Sequence, residues 1–123
     1  MEQLVKHLIT RGVLRTPRIV VAFRKIDRRD FVRPEDADRA YSDYPLSIGA
    51  GQTISQPYTV AFMLELLAPR PGEKILDIGS GSGWTTTLLA EIVGERGKVT
   101  GREIVPELVE FGRKNLAKYP FPQ

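Results

Sequence analysis

The sequence predicts an α/β fold, the opening half of a doubly wound parallel sheet preceded by helices. Three observations predict it. Lys74-Ile75-Leu76-Asp77-Ile78 is a nearly continuous apolar run that passes straight into Gly79-Ser80-Gly81-Ser82-Gly83. Trp84 to Val93 then carries apolar residues at helical spacing. A second extended run begins at Lys98 and ends beside Glu103, ahead of a helical pattern opened by Pro106. Strand, helix, strand, helix in that order makes a parallel pair joined by a crossover.

The first fifty residues read as short helices with loops. Leu4, Leu8 and Val13 give a weak amphipathic stripe. Pro17 opens a second helical stretch, in which Ile19, Val20, Ala22, Phe23 and Ile26 recur on one face. Arg11, Arg15, Arg18, Arg24, Lys25, Arg28 and Arg29 are interspersed among these apolar positions. They are expected on solvated helix faces. Arg28 to Pro45 is irregular and polar, with Phe31, Tyr41 and Tyr44 as anchors.

A helix with a clear start follows. Pro57 suits its first turn, and Ser55 or Gln56 stands where a capping side chain is expected. Val60, Met63, Leu64 and Leu67 fall on one face, and Pro69, Pro71 and Gly72 end it. The strand from Lys74 is apolar almost throughout, which predicts cover on both faces. In the helix after the glycines, Leu88, Leu89 and Ile92 are expected to turn inward. Gly94-Glu95-Arg96-Gly97 is a turn, and Lys98-Val99-Thr100-Gly101 begins the second strand. The last helix takes its apolar positions from Leu108, Val109, Phe111, Leu116 and Tyr119.

A chain of 123 residues is sized for one domain. We divide it into a helical N-terminal region (1–50), a loop and helix (51–72) and the first half of a cofactor-binding unit (73–123). With 41% hydrophobic and 27% charged residues it has an ordinary globular composition. The net charge of +3, from 18 basic and 15 acidic residues, is too mild and too mixed to predict nucleic-acid binding. The absence of cysteine excludes disulfides, thiolate metal sites and cysteine nucleophiles. A lone histidine, His7, is expected to be solvated, and no metal site is expected. The opening MEQLVKHLIT has neither a long apolar core nor a small-residue cleavage site, so it does not read as a signal peptide. No run approaches the roughly eighteen apolar residues of a membrane span. The expectation is a soluble, cytoplasmic protein.

The glycine loop carries the functional signal. Closely spaced glycines between a strand and a helix let backbone approach a ligand where side chains would collide. Gly79, Gly81 and Gly83 do not make the dinucleotide fingerprint, because Trp84 occupies the sixth position where glycine is needed. No GKS or GKT follows, so a phosphate-cradling P-loop is excluded. Glu103, at the tip of the second strand, stands where an acidic residue can accept from two ribose hydroxyls, and a plain surface charge remains open for it. Asp77 ends the first strand beside the loop. It can hold the loop's amides or meet a positive group on a ligand, and a simple cap remains open for it. The stretch GQTISQPYTV, Gly51 to Val60, is polar at its front and apolar at its back. It reads either as a helix cap or as a lid over whatever the glycines hold.

These residues resemble the S-adenosylmethionine site of the Rossmann-like methyltransferases. There a strand ending in an acidic residue runs into GxGxG, and the next strand ends in an acidic residue for the ribose. LDIGSGSG and GREIVPEL match both. PLSIGAGQTISQPYTVAFMLELL resembles the segment that precedes the cofactor loop in the protein-L-isoaspartate O-methyltransferases. RGVLRTPRIVVAFRKIDRRDFVRPEDADRAYSDYPL is similar to that family's helical N-terminal region. The resemblance covers nearly the whole chain, and GQTISQPY is its specific part. Trp84-Thr85 departs from the tyrosine and glutamine more often found there.

The resemblance implies a truncated Rossmann-like methyltransferase fold, N-terminal helices followed by a βαβα unit. It implies methyl transfer from S-adenosyl-L-methionine to the free α-carboxylate of L-isoaspartyl residues in damaged proteins and peptides. The ester then closes to a succinimide, and hydrolysis returns some normal aspartate. A carboxylate is already ionised at neutral pH, so the step needs no general base. Opposite charges cancel as it attacks a sulfonium methyl group, so an aligned, dry site helps more than a proton relay. Ser55 corresponds to the family's active-site serine. Thr53, Ile54 and Ser55 are implied to line the cofactor, with Asp77, Gly79, Ser80, Gly81, Gly83, Glu103 and Ile104.

The family's sheet has seven strands, and this sequence is read as supplying two. The adenine wall and most of the substrate groove are expected in the strands that do not appear. Two open strand edges are a row of unpaired amides and carbonyls, which predicts a homo-oligomer that covers them. Three readings of function follow. One is a protein-isoaspartate methyltransferase. Another is a non-catalytic methyltransferase-like module acting by self-association or partner binding. The third is an RNA methyltransferase-like protein, which GQTISQPY and the modest charge argue against.

Overall fold

The computed structural model describes residues 1–121. Its first elements are α1 (Glu2–Thr10) and α2 (Pro17–Lys25). Leu4, Val5 and Leu8 of α1 and Ile19, Ala22 and Phe23 of α2 are buried, so each helix turns one stripe to the core. Two short 3₁₀ turns follow, Arg28–Phe31 and Pro34–Arg39. Then come β1 (Leu46–Gly49), β2 (Gln52–Ile54), α3 (Pro57–Leu67), β3 (Lys74–Ile78), α4 (Trp84–Val93), β4 (Lys98–Arg102) and α5 (Pro106–Leu116).

The predicted βαβα unit is present. β3 and β4 pair in parallel, from Lys74 opposite Lys98 to Ile78 opposite Arg102. α4 packs on this pair with one side and on α2 with the other. Its inward residues include Leu88, Leu89 and Ile92, as expected. Phe23 of α2 meets Trp84 edge to face, with ring centroids 5.6 Å apart. One contiguous core therefore joins the N-terminal helices to the glycine unit. The far end is tied back as well. Tyr119 Oη donates to Asp30 (2.6 Å), accepts from Asp27 N (2.8 Å), and its ring stacks on Phe31.

Four expectations need correction. The segment ahead of Ser55 is not a loop but a hairpin, β1 with β2, closed by Ala50 and Gly51. Both closing residues have positive φ (53° and 71°), the geometry whose twist matches that of paired strands. The strand β3 is not covered on both faces. Leu76 is 57% exposed and Ile78 79%, because α4 covers only the face carrying Ile75 and Asp77. In α3, Met63 and Leu67 are exposed while Val60 and Leu64 are buried, together with Pro57 and Ala61. The apolar stripe is wider than the core that it meets.

The fourth correction concerns Arg28. It is not on a solvated face; it is wholly buried (0% exposed) within a ring of carbonyls described below. His7 is exposed, as expected, and lies 3.3 Å from Asp43.

Candidate functional site

The parallel strands bring the glycine loop and the β1–β2 hairpin end together. A cleft of about 60 Å³ lies between them, lined by Thr53, Ile54, Ser55, Asp77, Gly79, Ser80, Gly81, Ser82, Trp84 and Thr85. This geometry bears on whether residues 51–60 are a cap or a lid. Ser55 does not cap α3: the residue before the helix is Gln56, and it makes no side-chain cap bond. Asp43 does that work from outside, accepting from Tyr58 N at 2.9 Å. Among the described residues nothing bonds to Ser55 Oγ, and its side chain stands exposed at the cleft.

The loop itself depends on positive φ at Gly79 (76°) and Gly83 (87°). Its amides are committed to β4: Gly79 N and Ser80 N both donate to Arg102 O, at 2.7 and 3.0 Å. A Cβ on Gly79 would meet nothing within 4 Å, so open space lies over that residue. Gly83 differs. It does not line the cleft, and a Cβ there would lie 3.1 Å from Gly112 O. It lets the start of α4 press against α5. Gly112 reciprocates, since its own Cβ would lie 2.9 Å from Gly81 O.

Asp77 does not hold the loop's amides. Its partner is Thr86, whose Oγ1 donates at 2.6 Å from α4. Burial pushes the Asp77 carboxyl above its ordinary value, and the Thr86 hydroxyl offsets this only in part. No cation pairs with it among the described residues. A half-buried carboxylate at a cleft, with one neutral hydrogen-bond partner and no paired cation, suits a positively charged ligand group.

Glu103 is engaged by backbone. One oxygen accepts from Gly81 N (2.9 Å) and the other from Val105 N (3.1 Å). A carboxylate offers about four acceptor positions, so two remain open. Ile104 is 95% exposed and lies outside the cleft lining. Sequence reasoning missed Thr85, Ser82 and Thr86. The WTTT run was the available signal for the two threonines, since hydroxyls in a first helical turn can reach back to the preceding strand. Among the described residues, no group of His, Asp or Glu side chains converges in a way that would hold a metal ion.

The family model described as protein-L-isoaspartate(D-aspartate) O-methyltransferase matches residues 1–121. The protein-L-isoaspartate O-methyltransferase of Methanopyrus kandleri is 49% identical over 117 residues, covering 95% of this chain and 52% of its own. That of Aeropyrum pernix is 47% identical over 116 residues, covering 94% and 45%. A crystal structure of a putative enzyme of this kind from Plasmodium falciparum, in complex with S-adenosyl-L-homocysteine, superposes with a TM-score of 0.85 at 30% identity. It covers 94% of this chain and 54% of that one. The chain thus spans about half the length of the curated relatives it matches. Motif, fold and full-chain match agree, and the chain belongs to the protein-L-isoaspartate O-methyltransferase family, whose cofactor is S-adenosyl-L-methionine.

Proposed function

We propose that this chain holds S-adenosyl-L-methionine against its glycine loop for methyl transfer to the free α-carboxylate of L-isoaspartyl residues in damaged proteins. The observation that carries the reading is the shared cleft: Thr53, Ile54 and Ser55 line it from one side and Gly79, Ser80 and Gly81 from the other. The bound donor supplies an electrophilic methyl group on sulfur. The carboxylate oxygen forms the new O–C bond as the C–S bond breaks, and no proton moves. The chain's residues therefore orient and exclude water rather than relay protons. Ser55 Oγ, free of other partners, donates to the incoming carboxylate. Asp77 faces the donor's positive end. Glu103 takes the ribose hydroxyls with its remaining acceptor positions, and Ile104 covers the nucleoside. Gly83 serves by setting the start of α4.

A second reading is favoured by a different observation. The cleft of about 60 Å³ is far below the roughly 300 Å³ at which small-molecule pockets begin. Leu76 and Ile78 also leave one sheet face apolar and open. These features fit a non-catalytic methyltransferase-like module that self-associates, burying that face against a second copy. A cytoplasmic location, among proteins that accumulate isoaspartate, goes with either reading.

Calorimetric titration with S-adenosyl-L-homocysteine, paired with labelled methyl transfer to an isoaspartyl peptide and to transfer RNA, separates the possibilities. Binding with peptide turnover supports the first reading, and binding without turnover the second. Turnover on RNA alone would establish the RNA methyltransferase instead. A well-folded monomer in sedimentation equilibrium at micromolar concentration would remove self-association.

A further inference from the structure

Backbone oxygens surround both Nη atoms of the Arg28 guanidinium, whereas its Nε is buried without a hydrogen-bond partner among the described residues. Nη1 donates to Ala40 O (2.9 Å) and Ser42 O (3.1 Å), and Nη2 to Tyr44 O (3.0 Å) and Ser55 O (3.2 Å). Its Cζ lies 5.5 Å from the Trp84 ring centroid, a cation–π contact with the residue that ends the glycine loop. No carboxylate lies within ion-pair distance of it among the described residues. Burial lowers its pKa to about 10, with the charge of Asp43 opposing, so it stays a cation at neutral pH. A wholly buried charge with no carboxylate in contact is a costly way to hold a fold together. An apolar side chain would fill the space without that cost. What the guanidinium alone supplies is a planar fork that collects several carbonyls at fixed angles.

We propose that Arg28 is a positioning residue: by gathering the carbonyls of Ala40, Ser42, Tyr44 and Ser55 around one fork stacked on Trp84, it fixes the serine turn over the glycine loop. The four carbonyls come from two separate segments, residues 40–44 and the end of the hairpin. Asp43, inside the first segment, also caps α3 through Tyr58 N, and its carbonyl accepts from Gln56 Nε2 at 3.1 Å. The turn carrying Ser55 is thus clamped from both sides, yet Ser55 Oγ is left free. Arg28 is anchored in its own turn, where Asp27 accepts from Arg29 N at 2.9 Å. The consequence for a bound cofactor rests on the function proposed above; the ordering of the turn does not.

The test uses two folded variants of the full chain, Arg28→Lys and Arg28→Gln. Amide hydrogen exchange is followed in the ligand-free protein. Peptides covering residues 40–56 should exchange about tenfold faster in the variants, while those covering 84–93 stay at the wild-type rate. S-adenosyl-L-homocysteine should bind about tenfold more weakly. Adding Ser55→Ala should then cost less than about twofold more, because the two residues act through one turn. Faster exchange along the whole chain, unchanged exchange at 40–56, or neither variant folding would overturn the proposal and leave Arg28 a fold element. So would wild-type affinity in a variant with a loosened turn. If the wild-type protein binds no cofactor, the proposed function fails, and the exchange data still decide the role of Arg28.

Discussion

Two glycines four residues apart should fail in opposite ways. Gly79→Ala and Gly83→Ala each force a side chain into positive φ, which costs roughly 1–2 kcal/mol. For Gly79 that is the whole cost to the fold, since the new methyl meets nothing within 4 Å. For Gly83 the methyl lies 3.1 Å from Gly112 O and 3.3 Å from Gly112 Cα. Both atoms are backbone, which has little room to give, and overpacking of this kind adds about 1–3 kcal/mol. An unfolding entropy of about 2.1 cal/mol/K per residue makes 1 kcal/mol worth roughly 4 °C in a chain of this length. Gly79→Ala should therefore lower Tm by about 4–8 °C, and Gly83→Ala by about 8–20 °C. Ligand binding should invert the order. The Gly79 methyl projects into the space proposed for the cofactor, whereas the Gly83 methyl points away into α5. Thermal denaturation followed by circular dichroism gives the first comparison, and titration with S-adenosyl-L-homocysteine below both transitions gives the second. Equal Tm losses, or Gly79→Ala binding as well as wild type, would refute this division of labour.

Three further outcomes follow from the site and its supports. Asp77→Asn should raise Tm at about pH 7 while weakening cofactor binding. Burial raises the folded pKa above the ordinary 3.8, so the native state holds its proton longer and stability falls as pH rises through that interval. The gain over wild type should accordingly be larger at about pH 7 than at about pH 4, and a variant that is less stable at pH 7 would contradict the assignment. Glu65 has the opposite sign. Burial works against its charged form, but bonds from Thr16 Oγ1 (2.6 Å), Thr16 N and Arg15 N (2.8 Å each) outweigh it and lower its pKa below 4.5. Its contribution is complete above 4.5 and is lost as pH falls through the folded value; Glu65→Ala should cost about 1–2 kcal/mol in denaturant unfolding at neutral pH. Glu103→Ala releases the amides of Gly81 and Val105, and should cost about 1–3 kcal/mol together with most cofactor affinity. Unchanged affinity in that variant would remove Glu103 from the site.

Where the sequence was legible, the residues carry their own punctuation. Prolines mark the starts of α2, α3 and α5, and glycines bracket α4, so the predicted starts of all four agree with the structure. The strand-to-glycine junction was legible because backbone that must turn sharply at positive φ narrows the choice to glycine. The hairpin was not read. Its strands are only four and three residues long, and Gly49-Ala50-Gly51 reads equally well as a flexible loop. Burial of Arg28 left no local trace. Its partners are carbonyls of residues 40, 42, 44 and 55, which any sequence possesses. Likewise the capping of α3 by Asp43 crosses from a segment with no periodic pattern of its own. The exposed faces of α3 and β3 misled for another reason: an apolar pattern records what an element can bury, not whether a neighbour is present to bury it.

That distinction separates two kinds of incompleteness in this molecule. Around the cleft the unmet needs are polar and small. Asp77 has one neutral partner, Ser55 Oγ has none, and Gly79 faces open space, while Glu65 on α3 accepts three hydrogen bonds. These open polar groups are the ones that the ligand proposed above would meet. On the sheet the unmet needs are apolar and broad, with Leu76 and Ile78 in a row and, among the described residues, a free edge on each strand. An exposed apolar surface of this kind suits cover by polypeptide, as in the self-association proposed above. The two deficits differ in kind, and so do the partners proposed for them. If covering the sheet tightens the cleft, cofactor affinity should rise with protein concentration; if they are independent, affinity should stay constant across the association range.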